Sequence, residues 1–410
     1  MSSCDQPGLM SVEQALERLL AAAQPTTEVE TVPLMTALGR VLAEDQQSTV
    51  DVPPADNSAM DGFALRFADC HSGAETTLPI GQRIPAGAVP EPLQAGSAAR
   101  IFTGAEVPPG ADTVVMQEQC RWDDAQVTLA ADIKSGANIR PRGQDIERGA
   151  QVLTRGRRLT PQDLGLLASV GIAEVPVYRR LVVALLCTGD ELVEPGQPLP
   201  PGHIYNSNRY TLAGQLQALG FECIDLGMVA DTPEATSEAL QRAAAEADCI
   251  LSSGGVSVGE EDHIKACVEK LGSLDLWRMA IKPGKPLAFG HVQGTPFVGL
   301  PGNPVSVFVT FAIAARPYLL KTQGAADYLP LGVPVVAGFS RPQSAKRQEY
   351  LRARLVEDDN GRVRAELAGS QSSGVLSSVC RGNGLVVHRL GETIEEGDRV
   401  PFLAFSDLLF

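Results

Sequence analysis

The segment LVVALLC, residues 181–187, decides the fold. It is apolar throughout, without the alternation of a strand that faces water on one side, so it predicts a strand covered on both faces. Strand-like and helix-like segments then alternate to about residue 323. Helical stretches such as RYTLAGQLQALG (209–220) and TPEATSEALQRAAAEA (232–247) follow the apolar runs. This rhythm predicts a doubly wound α/β domain.

In such a sheet, ligands bind beyond the carboxyl ends of the strands. Five loops follow predicted strands on that side. They are TGDE (188–191), VADT (229–232), SSGGVSVGEED (252–262), KPGKP (282–286) and LPGNP (300–304). We expect these loops to carry the chemistry of the protein.

The flanking segments have a different character. The stretch after Ser11 predicts an amphipathic helix, with capping-box spacing between Ser11 and Gln14. Residues 47–147 are rich in Pro, Gly, Thr and Val in short alternating runs, which predicts a small β domain. Residues 329–410 are again strand-like, with a hairpin turn at 359–361.

Composition narrows the class of protein. The chain has 410 residues and a formal net charge of −15, which argues against a broad basic face for nucleic acid. The cysteines include no Cys-x-x-Cys pair and the histidines no His-x-x-x-His spacing, so a zinc site is not expected. Dispersed cysteines favour reduced thiols and a cytoplasmic location. We expect no signal peptide and no membrane contact, because no apolar stretch reaches about 20 residues.

The loop SSGGVSVGEED leaves two interpretations open. Gly254 and Gly255 allow close approach of a ligand to the backbone, and Ser252 and Ser253 supply hydroxyls. Together with the N–H groups of the following helix, they form a plausible anion loop. The alternative is a strand-to-helix turn in which Asp262 caps the helix.

The loop KPGKP favours a binding role. Lys282 and Lys285 flank a rigid turn, and two ammonium groups so placed suit a multivalent oxyanion. The alternative, two solvated surface lysines, is weakened by the position of the loop between two apolar strands. In LPGNPVS, Pro304 suits the first position of a helix, which predicts free N–H groups at 305–307 beside the Ser306 hydroxyl. A plain turn is the alternative there.

Four acids fall in the same loops: Asp190, Glu191, Asp231 and Asp262. Carboxylate oxygens suit a hard cation such as Mg²⁺. A Mg²⁺ ion that bridges phosphates would explain why acids and lysines share one rim. Each acid alone is better explained as a helix cap or a solvated charge, but four in neighbouring loops favour the metal.

Eight motifs occur in one order along the chain. They are DNSAMDGFA (56–64), RIFTGAEVPPGADTVV (100–115), RPRGQDI (140–146), TGDEL (188–192), IYNSNRY (204–210), SSGGVSVGEED (252–262), AIKPGKPLAFG (280–290) and GLPGNPVS (299–306). Together they resemble the MoeA family of molybdopterin molybdenumtransferases, which includes the E domain of gephyrin. The resemblance covers nearly the whole chain. It implies insertion of molybdate into adenylated molybdopterin, with release of AMP and a need for Mg²⁺.

The resemblance also implies an architecture of α/β plus β domains. A discontinuous first domain (1–46 and 148–180) carries a β-rich inserted domain (47–147). A central α/β domain with the molybdopterin-binding fold (181–328) and a small C-terminal β barrel (329–410) follow. The family forms homodimers, and the resemblance implies an active site that joins the third domain of one subunit to parts of the second and fourth domains of its partner.

Site residues follow from the matched motifs. The implied catalytic acids are Asp61, Asp145, Glu191 and Asp262, and the implied metal ligands are Asp231 and Asp262. The implied substrate contacts are Thr103, Asp190, Asn206, Ser253, Gly254, Gly255, Lys282, Lys285, Pro286, Pro301, Pro304, Ser306, Arg352 and Ser373. Two departures concern the charge and geometry of substrate contacts: Gln144 stands where the family usually has Glu, and Arg278 where Lys is common.

Two other functions compete with this one. An adenylyltransferase would use the α/β domain alone, and the flanking β domains with matching motifs weigh against it. A scaffold protein would carry a further oligomerisation domain or a long linker, and the sequence shows neither. Expected partners are a separate molybdopterin adenylyltransferase and factors that pass the cofactor to molybdoenzymes; nucleic acid and membranes are not expected.

Overall fold

A computed structural model describes residues 9–255 and 263–409, which form three six-stranded sheets and several smaller pairings. The first helix begins after Ser11, and the capping box with Gln14 that the spacing predicts is formed. Ala15 and Leu19 bury its apolar face completely. The elements of this segment are α1 (Val12–Ala22), β1 (Val29–Pro33) and β2 (Gln46–Gln47).

The second segment is rich in strands, as its composition predicts. Six of its strands form one sheet, with Phe63 and Val127 in the apolar cluster on one face. The strands are β3 (Asn57–Ser58), β4 (Gly62–Leu65), β5 (Thr76–Ile84), β6 (Ala98–Ile101), β7 (Thr113–Met116), β8 (Cys120–Trp122), β9 (Gln126–Leu129) and β10 (Ile139–Arg140). The sheet order is β7-β4-β6-β5-β9-β8.

The third segment pairs with the first. Its elements are β11 (Gln151–Leu153), α2 (Pro161–Ser169) and β12 (Glu174–Tyr178). Strand β12 runs antiparallel to β1, and β11 runs antiparallel to β2. The chain therefore leaves this paired unit at its second strand, forms the strand-rich sheet, and returns to the same unit.

The central segment alternates strands and helices. Its first elements are β13 (Val182–Thr188), β14 (Leu192–Val193), β15 (Ile204–Tyr205), α3 (Ser207–Ala218), β16 (Glu222–Val229), α4 (Pro233–Glu246) and β17 (Cys249–Ser253). Its later elements are α5 (His263–Leu271), β18 (Gly272–Arg278), β19 (Ile281–Lys282), β20 (Pro286–Val292), β21 (Thr295–Leu300), α6 (Pro304–Thr310) and α7 (Arg316–Thr322).

The apolar run that includes β13 lies inside the central sheet, whose order is β16-β13-β17-β21-β20-β18. Alternate side chains of β13 enter different apolar clusters: Val183 and Leu185 lie in one, Ala184 and Leu186 in the other. Both faces of this strand are therefore covered, as a continuous apolar run predicts. The doubly wound α/β fold is confirmed.

One predicted strand is divided. The apolar pattern of LWRMAI (276–281) predicts a single strand, but β18 ends at Arg278 and β19 begins at Ile281. Strand β18 pairs with β20 of the central sheet, whereas β19 pairs with the C-terminal sheet. The division follows from Met279 and Ala280, whose backbone N–H groups bond to Lys285 and Met10 outside either sheet.

The helix from Pro304 to Thr322 is continuous, with a π-helical turn at Phe311–Ala315 between α6 and α7. Among the described helices, it is the one long and apolar enough, by length and composition, to cross a membrane. Its apolar window is 89% buried inside the protein. That burial is typical of the core helix of a globular domain.

The C-terminal segment forms a closed barrel. Its elements are β22 (Val333–Ala337), β23 (Gln348–Glu357), β24 (Val363–Leu367), α8 (Ser377–Arg381), β25 (Gly384–His388), β26 (Arg399–Ala404) and α9 (Phe405–Leu409). The order β23-β24-β22-β26-β25 closes because β25 also pairs with β23. The predicted hairpin turn joins β23 to β24. The predicted fold class, with β-rich units and a small C-terminal barrel around the α/β domain, is confirmed.

One short pairing joins the barrel to the central domain. In it, β19 runs parallel to β23, and Lys282 lies beside Glu349. The Lys282 ammonium donates to Glu349 Oε1 at 2.7 Å, and Arg341 donates to Glu349 Oε2 at 2.8 Å. Burial pushes the pKa of Glu349 upward, but the hydrogen bonds from Lys282 and Arg341 outweigh burial and hold the pKa below its ordinary value.

We expect Glu349→Gln to lower the stability of the folded chain in a pH-dependent way. A carboxylate whose pKa is depressed by folding stabilises the fold above its ordinary pKa, and this contribution is lost as pH falls through the folded value. The melting temperatures of wild type and variant should therefore differ most near neutral pH and converge as pH falls through the lowered pKa of Glu349.

Glu357→Gln is the matched control for this comparison, because Glu357 ends the same strand and is exposed. It should follow the wild-type pH profile. A constant difference between Glu349→Gln and wild type across the pH range would contradict the role of the ionised carboxylate.

Candidate functional site

A cleft of about 840 Å³ opens at the carboxyl ends of the central strands. All five loops expected to carry chemistry contribute to its walls. A sixth wall comes from the barrel of the same chain, through Arg347 and residues 371–373. Four of the loops follow the carboxyl ends of the parallel strands β16, β13, β17 and β21, which share one edge of the sheet. The KPGKP loop reaches the same edge because it precedes β20, which runs antiparallel to β21.

The KPGKP loop supplies two cations to the cleft. Lys282 is partly committed to Glu349, and its side chain is 42% exposed. Lys285 is exposed and has no side-chain hydrogen bond within the described part of the chain. Gly284 adopts a φ of +98°, and a Cβ there would lie 2.5 Å from Thr310 Cγ2. Only glycine fits this turn, so the loop packs tightly against α6 and holds both lysines beside it.

Strand β17 ends in the first part of SSGGVSVGEED. The Ser253 hydroxyl accepts a hydrogen bond from Asn208 at 2.9 Å, and the same Asn208 amide donates to the Gly302 carbonyl at 2.7 Å. A Cβ on Gly255 would lie 2.4 Å from Ile264 Cδ1. Gly255 therefore has a packing role as well as lining the cleft. Residues 256–262, including Asp262, lie outside the described residues, so the choice between turn and anion loop stays a prediction.

Two of the four loop acids line the cleft, Glu191 and Asp231. Asp190 is exposed and is not among the described lining residues. Within residues 9–255 and 263–409, no group of three or more His, Cys, Asp or Glu side chains is arranged to hold a metal ion. The described acids thus offer two carboxylates, a number that suits an ion whose other ligands are water and phosphate.

The start of α6 differs from its prediction. Free N–H groups were expected at 305–307, but Val305 N–H donates to the Ser373 carbonyl at 3.0 Å and Val307 N–H to the Asn303 carbonyl at 2.9 Å. The barrel loop thus docks on the beginning of this helix. Ser306 and Ser373 both line the cleft, as expected for hydroxyl donors.

Arg352 was expected to contact the oxyanion, but it is 1% exposed and is not among the described lining residues. Its guanidinium donates to the Ser378 hydroxyl and to the carbonyls of Tyr350, Ser370 and Ser372 at 3.2 to 3.3 Å. Burial lowers the pKa of Arg352 to about 10, so it stays charged at neutral pH. Arg352 therefore shapes the loop that presents Ser373, without entering the cleft.

Arg347 is the cleft cation that the sequence analysis missed. It lines the cleft and donates to the Ile281 carbonyl at 3.2 Å, beside the first lysine of KPGKP. Arg347 lies directly before β23, whereas Arg352 lies within this strand and is buried in the barrel. The signal was present in the basic run AKRQEYLR (345–352), but its two faces could not be assigned without the barrel.

The remaining predicted contacts fall into two groups. Gly254, Gly255, Pro286 and Pro301 line the cleft. Asn206 caps α3 by accepting from Arg209 N–H, and Pro304 begins α6; neither is among the described lining residues.

Three predicted residues lie elsewhere, in the strand-rich segment. Asp61 accepts hydrogen bonds from the Thr103 N–H at 2.8 Å and the Thr103 hydroxyl at 2.7 Å, which hold the pKa of Asp61 below its ordinary value. The Arg100 guanidinium lies nearby, 5.0 Å from the Phe63 ring. Asp145 is bonded through its backbone N–H to Val52. None of the described residues that line the cleft comes from this segment.

We expect Arg352→Ala to destabilise the protein by more than about 2 kcal/mol, because it removes charge-assisted hydrogen bonds inside the barrel. Amide hydrogen exchange at 370–373 should accelerate, since the loop loses its anchor. The matched control is Arg354→Ala on the same strand, whose side chain is 58% exposed and 3.8 Å from Glu366. That variant should change stability by less than about 0.5 kcal/mol. Equal effects of the two substitutions would refute the anchoring role.

Three family models match consecutive parts of the chain. The MoeA N-terminal region (domain I and II) matches residues 10–171, a probable molybdopterin binding domain matches 184–321, and the MoeA C-terminal region (domain IV) matches 334–405. The strand-rich segment falls within the first match, and the second and third matches cover all but the outermost residues of the α/β unit and the barrel.

Similar proteins agree with the models. The molybdopterin molybdenumtransferase of Haemophilus influenzae is 39% identical over 404 residues, covering 98% of this chain and 100% of that protein. The one from Nostoc sp. is 39% identical, covering 94% of this chain and 91% of that protein. The crystal structure of the molybdopterin biosynthesis MoeA protein from Pyrococcus horikoshii has a TM-score of 0.83 at 30% identity, covering 97% of this chain and 100% of that one. The chain therefore belongs to the MoeA family of molybdopterin molybdenumtransferases.

Proposed function

We propose that this protein inserts molybdate into adenylated molybdopterin, with release of AMP and dependence on Mg²⁺, to form the molybdenum cofactor. The observation that carries the proposal is the composition of the cleft. Its described lining residues include three cations, Lys282, Lys285 and Arg347, together with the carboxylates of Glu191 and Asp231. A site for molybdate and an adenylated pterin needs cations that bind the negatively charged oxygens of both substrates. It also needs acids that hold a metal ion beside the phosphates of the pterin substrate.

Molybdate is a tetrahedral dianion, and the KPGKP side of the cleft suits it. The Lys285 ammonium has no side-chain partner among residues 9–255 and 263–409, whereas Lys282 donates to Glu349. The hydroxyls of Ser306 and Ser373 add neutral donors beside the lysines. These groups bind and orient the ion, and their positive charge favours its desolvated form in the cleft.

The adenylate is the leaving part of the second substrate. Its release breaks the phosphoanhydride bond, which requires an oxygen nucleophile from water or from molybdate, and AMP departs with the bridging oxygen. A carboxylate such as Glu191 is suited to orient that nucleophile and hold its proton.

The described residues fit a Mg²⁺ ion. Mg²⁺ is usually held by one or two carboxylates together with water and substrate phosphates, and Glu191 and Asp231 supply that number. When bound, the ion would neutralise charge on the pyrophosphate of the adenylated substrate.

We further propose that the site is completed by a second copy of the chain. Asp61, Thr103 and Asp145 carry family motifs, yet their segment contributes no described residue to the cleft lining. The barrel residues at the cleft belong to the same chain, so the partner is needed for the strand-rich segment and not for the barrel. Exposed apolar side chains on the first segment, Met35 at 93% and Leu38 at 54%, offer surface for a homodimer.

Because the proposed substrate is already adenylated and the product is a cofactor for other enzymes, we propose a molybdopterin adenylyltransferase upstream and cofactor-accepting factors downstream as partners. The seven described cysteines are all unpaired. Free thiols support a reducing compartment such as the cytoplasm.

The experiment that tests the proposal is AMP release from adenylated molybdopterin, measured with and without molybdate. We expect release to require molybdate and to fall at least about 100-fold in Lys285→Ala, because a charged donor to the bound ion is lost. Molybdate binding should weaken in the same variant.

Lys270→Ala is the matched control, since Lys270 lies in the last turn of α5 and is not among the described residues that line the cleft. It should behave as wild type. A Lys285→Ala enzyme with the wild-type rate of AMP release would contradict the proposed role of Lys285 in binding the oxyanion. Consumption of ATP without molybdate dependence would instead favour an adenylyltransferase.

A further inference from the structure

A second cavity of about 770 Å³ adjoins the cleft. Lys282, Lys285 and Arg347 line both spaces, so these three cations form the partition between them. The other walls belong to the barrel, where residues 340–346, Glu349 and His388 complete the lining. The proposed reaction does not use this space.

The second cavity is basic although the chain carries a net charge of −15. Among its described lining residues, one carboxylate, Glu349, stands against five cations: Lys282, Lys285, Arg341, Lys346 and Arg347. That carboxylate is already bonded by Lys282 and Arg341. A concave surface with excess positive charge concentrates anions from solution.

A buried histidine forms part of the same wall. His388 is 1% exposed, and its Nε2 lies 2.7 Å from the Glu392 carbonyl, to which it donates. The other ring nitrogen, Nδ1, is buried with no hydrogen-bond partner in the described part of the chain. When Nε2 is the donor, Nδ1 of an uncharged ring is an acceptor, which a water molecule or a protonated oxygen of a ligand can meet, so the lysines and arginines of this wall supply the attraction for an anion.

The barrel walls are fixed before any ligand arrives. Arg341 and Ile394 exchange two backbone hydrogen bonds of 2.6 and 3.0 Å. Ala345 accepts from Gly391 at 2.8 Å and donates to Glu392 at 3.0 Å. The basic segment is thereby tied to the segment after His388, so the backbone that carries these cations is ordered before a ligand binds, which lowers the cost of binding.

We propose that the second cavity is a binding site for a tetrahedral oxyanion, and that molybdate binds there before it enters the cleft. The identity of the ion rests on the proposed function, whereas the anion site itself rests on the cavity alone. Because the partition consists of Lys282, Lys285 and Arg347, an ion that passes from one space to the other stays in contact with positive charge. Wild-type protein should then bind two oxyanions in each chain.

The test uses the full chain with tungstate, whose anomalous scattering locates it in crystals, and calorimetric titration with molybdate. Lys346→Glu reverses a charge that lines only the second cavity. It should weaken the second binding event at least about tenfold and leave the first unchanged, because one charge-assisted contact is replaced by repulsion. Lys270→Glu makes the same change in net charge away from both cavities and should bind like wild type.

The outcomes separate the two proposals. Tungsten density in both cavities, with the selective loss in Lys346→Glu, supports the inference. Tungsten in the cleft alone overturns it and leaves the proposed function intact. Tungsten in the second cavity alone supports the anion site and contradicts the placement of molybdate in the cleft. Displacement of tungstate from the second cavity by AMP assigns the cavity to the phosphoryl group of the nucleotide and overturns the molybdate assignment.

Discussion

The carboxylate of Glu349 is the interaction on which both cavities depend. It is bonded at once by Lys282, from the central domain, and by Arg341, from the barrel. A carboxylate that is mostly buried must stay paired, so these contacts fix the two units against each other where β19 runs beside β23. The KPGKP loop follows directly from this junction. Its lysines can face two spaces only because the barrel is docked there.

Much of the fold could be predicted from local sequence. The apolar run at 181–187 gave a strand covered on both faces, because no side of it tolerates water. The convergence of four loops followed from a general property of parallel strands, whose carboxyl ends share one edge, whereas KPGKP reaches that edge at the start of the antiparallel strand β20. The capping box at Ser11 could be predicted because its two residues, Ser11 and Gln14, are close in sequence.

The parts that could not be predicted depend on contacts between distant segments. The Val305 N–H group is taken by Ser373, a barrel residue that no local pattern connects to α6. Arg347 and Arg352 are both basic and lie five residues apart, so only the closed barrel, in which β23 begins after Arg347, decides which of them is buried. The division of LWRMAI likewise depends on distant contacts, because its first part pairs with β20 of the central sheet and its last part with β23 of the barrel.

The central claim is that the cleft of one chain works with Asp61 of another. Subunit complementation tests it directly: Asp61→Asn and Lys285→Ala proteins, each expected to be inactive alone, are unfolded, mixed and refolded together. We expect the mixture to recover about a quarter of the wild-type rate of AMP release, because half of the dimers are mixed and each mixed dimer contains one intact site. A mixture as inactive as its parents would contradict the shared site, since it would place both residues in the site of a single chain.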